Sequence, residues 1–74
     1  MRISYDPEAD AAYIYLTEEP LAPGRESVPC SPPGDPLGMV AMDWKDGMLV
    51  GLEVLDASKL LHRDLLAMAR PPGH

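Results

Sequence analysis

Apolar and polar residues alternate with a period of two along much of this chain, and the alternation is clearest from Gly38 to Val54. A three-residue loop at Lys45, Asp46 and Gly47, with Gly47 left-handed, would set Trp44 opposite Met48. Met42 then faces Val50, Val40 faces Leu52 and Gly38 faces Val54, which gathers the large apolar residues of those pairs on one side of a hairpin. The other side carries Met39 opposite Glu53, Ala41 opposite Gly51, and Asp43 opposite Leu49. Past the hairpin the period changes. Ala57, Leu60, Leu61, Leu65 and Met68 recur at helical spacing, with Asp56 as N-cap, Arg70 suited to the C-terminal end and Pro71-Pro72 as the stop. This stripe predicts a helix lying on the side of Met42, Val50, Leu52 and Val54, and the pattern also admits a kink or a second short helix near His62.

The N-terminal part repeats the strand signal. Met1, Ile3 and Tyr5 share one face and Arg2 and Ser4 the other; Asp6 to Asp10 is a turn with Pro7 at its first corner. A second strand from Ala11 or Ala12 to Thr17 places Ala12, Ile14 and Leu16 on one face and Ala11, Tyr13 and Tyr15 on the other. Between Glu18 and Leu37 lie six of the nine prolines. Loops of that length without structure are uncommon in compact domains, so Arg25 to Val28 is predicted as a short edge strand that Pro29 ends. Cys30 to Pro36 (CSPPGDP) follows as an exposed, partly extended loop. The expected fold is a single α+β domain over residues 1–74, with four or five antiparallel strands and one C-terminal helix on one face.

Length and charge narrow the function classes. A chain of 74 residues buries only about 60% of the surface its unfolded form exposes, and such a core yields roughly 3–5 kcal/mol. Cys30 is the sole cysteine, which rules out an internal disulfide, and no Cys/His cluster offers a metal staple. Oligomerisation is the remaining support, and a homodimer is expected. The net charge of −6, with six basic residues scattered from Arg2 to Arg70, argues against a nucleic-acid surface. The absence of a long apolar run or a charged-then-apolar leader argues against a membrane and, with the single thiol, for the cytoplasm.

Candidate chemistry is thin. Asp6, Glu8 and Asp10 alternate like a calcium loop, but the sharp-turn glycine is missing and the twelfth position is Thr17, so a turn with local caps is the better reading. Cys30 has no histidine near it in sequence, and a dyad with His62 would still lack an orienting third group. Ser58 reads as a first-turn helix residue. Asp43, Glu53 and Asp64 could supply acid–base chemistry if two were close and one desolvated. In the register above, however, Asp43 and Glu53 stand about four ladder positions apart, at ~3.4 Å each, too far to couple directly. A Tyr13 or Tyr15 hydroxyl bonding Glu53 is the structural contact expected instead. No catalytic, cofactor or metal residue is assigned.

The second sheet face stands out. Ala11, Tyr13, Tyr15, Met39, Ala41, Leu49 and Gly51 make it mostly apolar, although a two-layer monomer would turn it to water. Contiguous apolar patches mark interfaces, and small residues at Ala41 and Gly51 would admit a partner's backbone. Tyr13, Tyr15, Met39, Ala41, Leu49 and Gly51 are therefore the candidate interface.

The segments YDPEADAAYIYL (Tyr5 to Leu16), the strand and turn ending at Asp46-Gly47, and GLEVLDASKLL (Gly51 to Leu61) together resemble the bacterial domain-of-unknown-function family 2283. That resemblance implies an antiparallel sheet with a C-terminal helix and brings no catalytic residues. CSPPGDP looks like an insertion relative to the family pattern. Relatives encoded beside toxin-like genes imply a partner-binding or antitoxin role. Three expectations follow: a homodimeric interaction module, an antitoxin-like inhibitor of a basic nuclease, and a small carboxylate-, Cys30- or metal-dependent enzyme.

Overall fold

The computed structural model describes residues 1–21, 23–34 and 39–71. Five strands form one antiparallel sheet: β1 (Arg2–Asp6), β2 (Ala11–Tyr15), β3 (Glu26–Cys30), β4 (Met39–Lys45) and β5 (Met48–Leu55), in the order β1-β2-β5-β4-β3. Two short helices follow, α1 (Ala57–Leu60) and α2 (Arg63–Ala67). The α+β expectation holds. The stripe is divided between two short helices, the alternative the pattern admitted near His62: backbone at Leu61 and His62 is extended, and the apolar stripe is cut there. Its outer end is not core either, because Met68 is 62% exposed, and Leu66 rather than Leu65 packs inward.

The expected strand parity is present. Tyr5, Ala12, Val54 and Val40 lie side by side across four strands, as do Ile3, Ile14, Leu52 and Met42. Ala12, Val54 and Ala57 are the buried centre, with Tyr5, Val40, Leu60, Leu61 and Leu66 packed against them. The central hairpin's register differs from the sequence expectation. Asp46 (φ 52°) and Gly47 (φ 80°) alone make the turn, so Lys45 pairs with Met48 and Trp44 with Leu49. Both turn residues sit at positive φ, the requirement of a two-residue hairpin loop whose twist matches the strands. A bulge between Asp43 and Trp44 then skips Val50, and from Asp43↔Gly51 onward each partner is two residues away from the expected one. Met39 faces Leu55, Ala41 faces Glu53, Met42 faces Leu52 and Val40 faces Val54; Gly38 lies outside the described residues. A two-residue slide preserves which side each residue takes, so the faces survive from Met39 to Asp43; between the bulge and the turn the offset is one residue, and Trp44 shares a side with Leu49 instead of Met48.

β3 runs from Glu26 to Cys30 rather than ending before Pro29. Pro29 is accommodated within it because β3 is an edge strand, where a missing N–H can face away from the ladder. The order places β3 three strands away from β2, roughly 14 Å at about 4.8 Å per strand. The chain leaves β2 at Tyr15 and enters β3 at Glu26 across that distance, which explains a long connection that is not a hairpin. Leu16, Pro20, Leu21 and Arg25 line a cleft together with Lys45, Met48, Leu49 and Val50 at the hairpin's turn end.

Candidate functional site

Two polar clusters stand out, and neither was assembled from the sequence. The first joins the β1–β2 turn to α1. Asp6 closes the turn locally, accepting the Glu8 N–H at 3.0 Å on Oδ1, as the capped-turn reading requires. Asp10, in left-handed conformation, accepts the Tyr5 hydroxyl (2.8 Å), the Ser58 backbone N–H (2.9 Å) and the Ser58 hydroxyl (2.7 Å). Its carbonyl also accepts the Ala57 N–H at 2.9 Å. Asp10 thus caps α1 from the other end of the chain. Asp56, the expected cap, is left-handed and makes no side-chain cap bond. The Ser58 hydroxyl, then the Tyr5 hydroxyl and the Ser58 N–H, hold the Asp10 carboxyl below its ordinary value, while the same bond raises the Tyr5 phenol.

The second cluster lies on the sheet's other face. Asp43 is 2% exposed, yet its carboxylate is fully furnished: the Ser27 hydroxyl donates at 2.5 Å, the Tyr13 hydroxyl at 2.7 Å, and Arg25 Nε stands at 3.5 Å. Tyr13 reaches Asp43 by crossing Gly51, the residue opposite both Tyr15 and Asp43. A Cβ on Gly51 would meet Tyr13 Cε1 and Cζ at 2.5 and 2.6 Å, so only glycine leaves room for the ring. Tyr13 and Tyr15 sit 4.8 Å apart, centroid to centroid, and the Arg2 guanidinium lies 4.0 Å above the Tyr15 ring. Burial pushes the Asp43 carboxyl up, but the bonds from Ser27 and Tyr13 and the Arg25 charge outweigh it and hold the group below its ordinary value. Burial, followed by the bond to Asp43, drives the Tyr13 phenol upward. A carboxylate with three donors and a phenol held protonated orient β2, β3 and β4 against one another. Neither is poised to move a proton at neutral pH.

The candidate interface divides. Gly51 is covered by Tyr13 of its own chain, and Ala41 is already buried at 5% exposure, so neither position is open to a partner's backbone. Tyr13 and Tyr15 are half-buried and Met39 is exposed. Leu49 is exposed too, but the bulge pairs it with Trp44 and takes it out of Asp43's row. The tyrosine expected at Glu53 goes to Asp43 instead. Asp43 and Glu53 stand two ladder positions apart rather than the four that pairing Asp43 with Leu49 would give, since Gly51 faces Asp43. Cys30 is an exposed thiol on β3. His62 accepts the Asp64 N–H at 3.1 Å, capping α2, and lies 3.5 Å from the Asp64 carboxylate. Among the described residues no three His, Cys, Asp or Glu side chains converge as a metal site, and no helix is long and apolar enough to cross a membrane. In retrospect, the signal for the buried cluster was a glycine in mid-strand beside a tyrosine.

A five-stranded antiparallel sheet whose N-terminal hairpin turn clamps the start of α1 places the molecule among small α+β sheet proteins. The chain belongs to the family described as "Protein of unknown function (DUF2283)", whose model matches residues 2–58. The match ends at Ser58, so it includes both partners of the clamp and leaves α2 outside. No curated protein and no solved structure matches the chain.

Proposed function

We propose that the chain is a non-catalytic interaction module that works as a homodimer joined through the sheet face bearing Tyr13, Tyr15 and Met39. The carrying observation is the row Ala11–Leu55–Met39, apolar across three strands and beside the tyrosines, on the side opposite the core residues Ala12, Val54 and Val40. Leu55 takes the place in this row that the sequence register gave to Glu53. Direct pairing of two bare edges is a poor alternative: β3 carries Pro29, and β1 is bridged at Ser4 by Arg70 of the same chain. Light scattering at micromolar concentration tests the proposal. A dimer that Met39→Lys dissociates supports it; a stable monomer overturns it.

A second reading, an antitoxin-like inhibitor of a basic nuclease, is favoured by the net charge of −6 and by exposed Glu18, Glu19 and Glu26 along the β2–β3 crossing and its entry into β3. Acidic groups on an accessible connection speed encounter with a basic partner. Co-purification with an adjacently encoded basic protein is the test, and its failure removes this reading.

A further inference from the structure

The outer edge of β1 is bridged at Ser4 by the chain's own C-terminal segment. Ser4 and Arg70 form a parallel bridge, in which the Tyr5 N–H donates to the Arg70 carbonyl at 2.8 Å and the Arg70 N–H to the Ile3 carbonyl at 2.9 Å. Arg70 therefore ends not as a helix C-terminal charge but as a single bridge residue beside the sheet edge.

The segment carrying Arg70 is attached lightly. Leu61 (φ −94°, ψ 138°) and His62 (φ −60°, ψ 143°) are two consecutive extended residues that separate it from α1. α2 buries no residue, and Leu66 alone in that helix packs against the central cluster. The family match stops at residue 58, so the segment also lies beyond the part of the chain that the family model describes.

We propose that the β1 edge is a strand-accepting seat and that residues 62–71 are an exchangeable strap, which a second copy's strap replaces to give a strap-exchanged dimer. The occupant is specified by the seat itself: what fits is an extended backbone running parallel to β1 that offers one carbonyl to Tyr5 and one N–H to Ile3. A second copy brings the same segment, so exchange remakes every strap contact and changes only the hinge. The chain's own strap, tethered through the short hinge, competes at an effective concentration of about millimolar, so exchange shows at that concentration and not in dilute solution.

The test uses full-length chains carrying Cys30→Ser, which removes the native thiol, and Met39→Lys, which removes the face contact proposed above. One chain also carries Ser4→Cys and the other Arg70→Cys. The two are unfolded together, refolded at about millimolar concentration, oxidised and weighed intact. Exchange predicts a mixed disulfide of the two chains as the dominant covalent product, lost on refolding in dilute solution. Like pairs and closed chains carry no matched thiols and weigh as monomers, so the readout is the covalent fraction: no mixed disulfide there, or mixed and symmetric disulfides in the proportion of random collision, overturns exchange. A chain with both added thiols, oxidised when dilute, should close on itself at monomer mass; failure to close overturns the seat. Because the background lacks the Met39 side chain, failure here leaves the face dimer untouched, and the reverse also holds.

Discussion

Asp10 accepts both the N–H and the hydroxyl of Ser58, which lies 48 positions further along the chain. The two residues close the two stretches, YDPEAD and GLEVLDAS, by which the family resemblance was recognised, and Tyr5 of the first stretch donates to the same carboxylate. Those stretches therefore encode a clamp that fixes where α1 begins. Asp10→Ala is expected to lower the melting temperature by on the order of 5 °C, with Asp10→Asn falling between it and the parent. Asp56→Ala, at the position that looks like the cap, should change it little. Thermal melts of the three variants check this, and equal effects at positions 10 and 56 would remove the clamp.

Tyr13 and Gly51 should be coupled rather than additive. Gly51→Ala puts a methyl where the Tyr13 ring lies, which displaces the ring and strips a donor from a buried carboxylate. A loss of about 2–3 kcal/mol is expected, from overpacking and the lost charge-assisted bond together. Tyr13→Phe should lose about 1.5–3 kcal/mol through the bond alone. In Tyr13→Ala the ring is gone, so adding Gly51→Ala should cost much less than it does in the parent. A urea-denaturation double-mutant cycle gives the coupling; additivity would show that the ring does not occupy that space.

Acid should weaken the fold through Asp43 and Asp10. Each has a folded pKa below the ordinary 3.8, so near and below that value the unfolded chain binds protons that the folded chain does not. Their stabilisation is complete above about pH 5 and drains away as the pH falls through 3.8 toward the folded values. Tyr13 acts at the other end: its phenol is pushed above the ordinary 10.0, so its contribution is full below pH 10 and is lost as the pH rises further. Urea midpoints from pH 7 down to pH 3 should fall more steeply for the parent than for Asp43→Asn, which starts lower and has no charge to lose. A parallel acid limb in that variant would contradict the assignment.

What could be read from the sequence follows the range of the interaction involved. The shared side of Ile3 with Tyr5, of Ala12 with Ile14 and of Val40 with Val54 rests on alternation, which a slide of two residues leaves intact. Half of the slide came from a turn of two residues instead of three and half from the bulge that skips Val50, and a bulge leaves no mark on the pattern of apolar positions. Asp43 read as an ordinary carboxylate on a wet sheet face. Its burial depends on Tyr13 from another strand and on Ser27 from a strand whose own placement needed the fold. Gly51 carried the hint, since a glycine inside a strand marks a close approach, but the neighbour it admits is Tyr13 and not a second chain. Asp56 looked like the cap because capping propensity is a local property, and the competitor stood in another hairpin.

The two-residue turn gives a prediction in which neighbouring substitutions have opposite signs. Gly47 at φ 80° has open space around it, so a methyl there would meet nothing, and any penalty must come from the backbone. A left-handed conformation costs an L-residue about 1–2 kcal/mol, and Gly47→Ala should lose that much. Asp46, at φ 52°, already bears part of the same strain. Asn is better tolerated than most residues in that conformation and leads the loop preferences for such turns, so Asp46→Asn should be neutral or mildly stabilising, whereas Asp46→Val should be worse than Gly47→Ala. The three-residue loop read from sequence makes a different forecast, because it asks for positive φ at Gly47 alone and tolerates valine at position 46. Chemical denaturation of Asp46→Val therefore decides between the two turns, with a loss of under about 0.5 kcal/mol favouring the longer loop.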